Sequence, residues 1–172
     1  MDIEHSLNKY VKSRHKLLAT IGASDSNRDP LTELSEVIVR QRLDADRAEN
    51  RNQEGWDLKQ RDGSTVEVKS VSNRSNWFKN GILIKFPPTS TNAHHDLLAV
   101  VVIVDFLPQM ILVFNETSAN QCYTGLNKKK QVMEEHEVVE LTAVNLRKIY
   151  KKNLDLSQYS VDVIPLPWNT QT

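Results

Sequence analysis

Between residues 3 and 20, apolar side chains return every three or four positions, at Ile3, Leu7, Tyr10, Val11, Leu17 and Leu18. That period predicts an amphipathic helix. Gly22 to Asn27 is a loop rich in turn formers. Asp29-Pro30 then reads as a helix start, with Asp29 as N-cap and Pro30 at the first helical position. Leu31, Leu34, Val37, Ile38 and Leu43 carry this second helix to about residue 45. Residues 44–54 are almost wholly polar and read as a link.

The period then shortens to two. Gly55 to Lys59 reads as a short strand, Arg61-Asp62-Gly63-Ser64 as a tight turn, and Thr65 to Val71 as a second strand. Together they predict a β-hairpin. Residues 72–80 are polar around Trp77 and Phe78. Gly81 to Phe86 is a further expected strand, stopped by Pro87-Pro88. Asp96 to Phe106 is a continuous apolar run, as expected of a central strand covered on both faces. Leu107-Pro108 is expected to turn the chain, and Met110 to Phe114 to pair back. Helices are expected over 117–135 and 141–152, an edge strand over 160–164, and an irregular tail at Pro165 to Trp168. The order predicts an α/β (α+β) fold, one mixed β-sheet core flanked by helices.

Composition changes this picture little. A chain of 172 residues suits one domain, with an N-terminal helical part over 1–28, a core over 29–115 and a C-terminal helical part over 116–172. Lysine plus arginine equals aspartate plus glutamate, at 22 each, so any basic footprint must be local. Cys122 is the single cysteine, which excludes an internal disulfide and a cysteine-rich zinc module. The acidic start Met1-Asp2-Ile3-Glu4 is unlike a secretory signal, and the longest apolar run, Leu97 to Val104, is far short of the roughly 20 residues of a membrane helix. A cytoplasmic protein with no membrane partner is the expectation. No glycine-rich phosphate loop is present, so no nucleotide cofactor is expected, and no nucleophile elbow supports a Ser-His-Asp site.

Chemistry concentrates in the hairpin. Period two puts Glu67 and Lys69 on one face of a strand. Asp57, on the partner strand just before the turn, can reach that face. Two carboxylates and an amine that converge are costly to bury unless they act on something. The carboxylates are hard oxygen ligands suited to Mg²⁺, with Mn²⁺ as a substitute. Lys69 can position or deprotonate a water, or neutralise charge on a phosphate.

Asp57, nine intervening residues, and Glu67-Val68-Lys69 resemble the D-(x)n-E-x-K signature of the PD-(D/E)xK nucleases, the superfamily of the restriction endonucleases. Leu34-Ser35-Glu36-Val37-Ile38-Val39 with Leu43 is similar to that family's helix before the hairpin, and Asp96 to Val102 to its next core strand. Trp56 stands where the literal motif has proline. The resemblance covers roughly residues 30–115. It implies a restriction-endonuclease-like core and a Mg²⁺-dependent endonuclease that hydrolyses DNA phosphodiesters, with RNA left open as substrate. It implies Asp57, Glu67 and Lys69 as catalytic residues, with Glu36 as a fourth member from the helix and Glu33 as second choice. Asp57, Glu67 and Glu36 are the implied metal ligands. Cutting two strands favours a homodimer with two sites.

Weaker signals surround the motif. Asn73, Arg74, Ser75, Asn76 and Lys79 follow the catalytic strand and are candidates for DNA contact, as are Lys128, Lys129 and Lys130. Arg147, Lys148, Lys151 and Lys152 form a comparable basic run. His94-His95-Asp96 reads as a strand start rather than a metal site, since adjacent strand residues point apart. The competing readings are a repair or recombination nuclease of the same fold, a catalytically silent nucleic-acid-binding or interaction module, and an unrelated α/β domain with a chance motif.

Overall fold

A computed structural model describes residues 2–48, 55–72, 82–87, 90–126, 138–141 and 156–167. The elements run α1 (Ile3–Thr20), α2 (Pro30–Arg42), β1 (Ala45–Arg47), β2 (Leu58–Gln60), β3 (Thr65–Ser72), β4 (Ile82–Lys85), β5 (Leu97–Val104) and β6 (Leu107–Phe114). Then come α3 (Glu116–Leu126), β7 (Val138–Leu141), a 3-10 turn at Ser157–Tyr159 and β8 (Asp162–Pro165).

The expected mixed sheet flanked by helices is present. Six strands lie in the order β1-β2-β3-β5-β6-β8. Among the described residues only β3 and β5 run parallel, with Glu67 beside Leu98 and Lys69 beside Val100. The run that predicted a central strand is β5. Its Leu98, Val100 and Val102 pack on one face with Leu112, Phe114, Ala119 and Cys122, while Ala99, Val101 and Ile103 pack on the other with Ile38, Val39, Val66 and Val68. Burying each such aliphatic side chain contributes roughly 1.5–3 kcal/mol, so β5 is the main source of cohesion.

Both N-terminal helices form as expected. Asp29 caps α2, its Oδ1 accepting from Leu31 N at 2.8 Å. The apolar stripe of α1 is largely uncovered: Leu18 is buried, whereas Ile3, Leu7, Tyr10 and Val11 are exposed.

Several expectations need correction. The polar link begins with a strand, because Ala45–Arg47 pairs with Leu58–Gln60. The turn after β5 is Asp105-Phe106, not Leu107-Pro108, and both its residues take positive φ (47° and 68°). Asp tolerates that conformation and Phe does so poorly, which is why composition pointed to the proline. Pro108 sits inside β6, beside a register shift at Val102/Ile103 and beyond the part of β6 that β8 pairs with, where a missing N–H costs little. The strand expected over 81–86 pairs with β7 as a separate two-stranded sheet. Leu141 therefore ends a strand instead of opening a helix; residues 142–155 and 127–137 lie outside the described residues. Among the described residues no helix is long and apolar enough to cross a membrane.

Candidate active site

The hairpin turn closes as its sequence requires. Gly63 has φ +95°, and Asp62 Oδ1 accepts from Ser64 N at 2.9 Å. Strand β2 is short because its ladder slips. Leu58 is paired with Val66, yet Asp57 N also donates to Val66 O, at 2.9 Å. Two residues oppose one, which is a β-bulge. Past the bulge, β3 has no strand partner on that edge among the described residues. Its Val68 N–H is taken by Asp57 Oδ2 at 2.8 Å. Continuing the Leu58–Val66 register puts Asp57 opposite Glu67 on the same face, and the bulge lets its carboxylate close onto the Val68 N–H.

On β3 the expected alternation holds. Val66 and Val68 are buried and fix the strand, while Glu67 and Lys69 are half-buried and form an ion pair between Glu67 Oε1 and Lys69 Nζ. A cleft of about 590 Å³ runs along this edge, and Arg28, Thr32, Asp57, Glu67, Lys69 and Ser72 are among its lining residues. The three motif residues therefore share one solvent-connected space.

The helix carboxylates stand behind it. Glu33 is fully buried and Glu36 is 5% exposed. Ser26 Oγ donates to Glu33 Oε1 at 2.6 Å, and Arg47 Nη2 lies 3.3 Å from Glu33 Oε2 and 3.8 Å from Glu36 Oε2. Arg28 Nη1 donates to Glu36 Oε1. Neither glutamate lines the cleft. Among the described residues no three Asp, Glu, His or Cys side chains cluster as a ready-made metal site. Sequence reading missed the cations Arg28 and Arg47. The available signal was the inward-facing helix itself, since two buried glutamates on its first turns demand positive partners.

Among the described residues negative charge is in excess here. Glu33, Glu36, Asp57 and Glu67 face Arg28, Arg47 and Lys69, four carboxylates against three cations. Burial pushes the Asp57 carboxyl up to about 6, and the Glu67 charge adds to it; the Val68 N–H, Arg28 and Lys69 pull the other way. Glu36 is also raised, by burial first and then by Asp57, against the opposing pull of Arg28.

The backbone before Asp57 is seated tightly. Gly55 has φ +106°, and a Cβ there would stand 2.4 Å from the Ala93 main chain. Gly55→Ala is therefore expected to cost about 3 kcal/mol. Gly63→Ala, equally strained but facing open space, should cost only about 1 kcal/mol. Urea midpoints of the two variants check this, and equal losses would refute it. The histidine segment opens a strand, as expected. Asp96 Oδ2 accepts from Thr65 N (2.8 Å) and Oγ1 (2.9 Å), which ties β5 to β3 and holds the Asp96 carboxyl below its usual range. His94 Nε2 lies 3.4 Å from Asp96 Oδ1, and His95 is buried against Phe86 with ring centres 5.1 Å apart.

The expected DNA contacts Asn73, Arg74, Ser75, Asn76, Lys79, Lys128, Lys129 and Lys130 lie outside the described residues, as do Arg147, Lys148, Lys151 and Lys152. No protein-family model matches the chain, and a search of curated proteins finds no significant relative.

Proposed function

We propose that this protein is a Mg²⁺-dependent nuclease of the PD-(D/E)xK kind, acting on DNA phosphodiesters. The observation that carries the reading is the bulge at Asp57, which sets a second carboxylate against the Glu67–Lys69 pair along a strand edge lined by a cleft. The donor set fits the ion. Mg²⁺ keeps several waters and is commonly held by one or two carboxylates. Asp57 and Glu67 supply two, in a site whose surplus negative charge a cation relieves.

Asp57 and Glu67 would hold Mg²⁺, with Glu36 acting from behind Asp57. When bound, the ion supplies Lewis-acid neutralisation of a phosphoryl oxygen and activation of water. Lys69 supplies a movable cation. Its ammonium has three donors, one of which meets Glu67, and it can serve the attacking water or the charge that grows on the phosphate. The cleft positions the phosphodiester against these groups. A homodimer belongs to the same reading, and a second copy would cover the exposed Ile3, Leu7, Tyr10 and Val11 of α1.

The test is incubation of the full chain with plasmid DNA, phage DNA and an RNA transcript, in Mg²⁺ and in EDTA. Cleavage of DNA in Mg²⁺ only is expected. Salt-sensitive binding without cleavage in any divalent metal would replace hydrolysis with a binding role. Neither binding nor cleavage would reduce the motif to coincidence.

A further inference from the structure

We propose that Arg28 binds a phosphate oxygen of the substrate in the cleft, and that Glu36 and Glu33 position its guanidinium for that task. The inference rests on the nuclease reading and adds a substrate-binding residue that lies outside its motif.

The loop that carries Arg28 is fixed from two sides. Arg14 Nη2, on α1, donates to the Arg28 carbonyl at 3.0 Å and to the Ser26 carbonyl at 3.4 Å. Arg28 N donates to Ser26 Oγ at 3.1 Å, and that hydroxyl donates in turn to Glu33 Oε1 on α2. Main-chain placement is therefore set before the side chain makes any contact.

The side chain then runs along the cleft. Its two ion pairs, with Glu36 Oε1 and with Glu33 Oε1 at 3.9 Å, both use Nη1. A guanidinium carries five N–H donors in a planar fork matched to phosphate oxygens, so most of that capacity lies outside these pairs. The side chain is 49% exposed and lines the same space as Asp57, Glu67 and Lys69.

Two buried glutamates call for two cations, but charge balance alone does not place the second on the cleft side. Arg47 already lies within ion-pair distance of both Glu33 and Glu36, and its side chain is only 19% exposed. A second, half-exposed arginine on the cleft side of the same glutamates is the arrangement of a cation that is oriented from behind and used in front. Arginine also suits this place better than lysine, because a fork held by two carboxylates keeps its remaining donors in a fixed plane.

Fluorescence anisotropy of a labelled mixed-sequence DNA duplex tests this in EDTA, over a potassium chloride series, so no cleavage is needed. Arg28→Ala is expected to weaken binding about tenfold and to lower the slope of log K against log salt by about one, while Arg28→Lys keeps the slope. Removing Arg28 leaves Glu36 with a weaker partner, so the double variant Arg28→Ala/Glu36→Gln is measured beside it, with thermal melting as the check on folding. The double variant should show the same loss of slope. A slope equal to that of the unmodified protein, in a folded double variant, would make Arg28 a counter-ion of the helix and overturn the proposal. If the unmodified protein binds no nucleic acid at low salt, in EDTA or in Ca²⁺, the nuclease reading fails and takes this inference with it.

Discussion

Asp57→Asn is expected to abolish cleavage and yet, above about pH 6, to leave the protein more stable than before. The reason is the raised carboxyl. Its folded value of about 6 lies above the ordinary 3.8, so the native state holds this proton more tightly than the unfolded chain. The stabilising contribution is complete below the unfolded value and is lost as pH rises through about 6. Above that, the ionised group is a net cost. A gap of roughly two units at about 1.4 kcal/mol each sets a ceiling near 3 kcal/mol. Asp57 is partly exposed, and screening brings the expectation to about 1–2 kcal/mol. Asparagine keeps an oxygen for the Val68 N–H, so the bulge and the strand edge should survive the change.

Melting curves of the parent and of Asp57→Asn at about pH 5 and about pH 8 check the sign, since the advantage of the variant must grow with pH. Mg²⁺ should raise the melting temperature of the parent and leave the variant almost unmoved, because only a site with both carboxylates binds the ion well. At sub-saturating Mg²⁺ the cleavage rate of the parent should climb with pH, because the proton on Asp57 competes with the ion. An Asn variant less stable than the parent at the higher pH would mean that Asp57 is comfortably ionised and that the charge surplus described above is already balanced.

The contrast between what local pattern reveals and what it hides runs through this site. Helix α2 was legible because Asp29-Pro30 and its apolar spacing are local facts, and β5 because a strand buried on both faces leaves no polar position to alternate. Glu67 and Lys69 were legible for the same reason, since period two within one strand is a local property. Asp57 was found for an incomplete reason. Alternation puts it on the shared face, whereas a one-residue slip between two strands aims its carboxylate at the Val68 N–H. A slip is a relation between strands, and no single segment encodes it. Strand β1 was hidden because Ala45-Asp46-Arg47 lies at the sheet edge, where three residues of mixed character carry no period. The Arg28–Glu36 pair joins a loop to a helix eight residues on, and burial alone reveals that those glutamates need a partner.

Lys69→Ala should lower the single-turnover cleavage rate by about 10²–10⁴-fold, with nucleic-acid and Mg²⁺ binding largely retained. Lys69 contributes one half-exposed charge, so its removal takes away at most one phosphate contact from binding. Its larger effect falls on the transition state, where charge grows on the phosphate oxygens next to a carboxylate pair that cannot compensate it. Glu67 loses its ion-pair partner, which leaves the two carboxylates no less attractive to a divalent cation. Cleavage under saturating Mg²⁺, anisotropy in Ca²⁺ and a melting titration with Mg²⁺ separate the three quantities. Full activity in Lys69→Ala would remove Lys69 from the mechanism. Lys69→Arg then decides what the lysine does. Arginine keeps the charge but does not give up its proton, so recovery of rate identifies an electrostatic role, and a rate as low as that of Lys69→Ala identifies proton transfer or a position that only the compact ammonium fits.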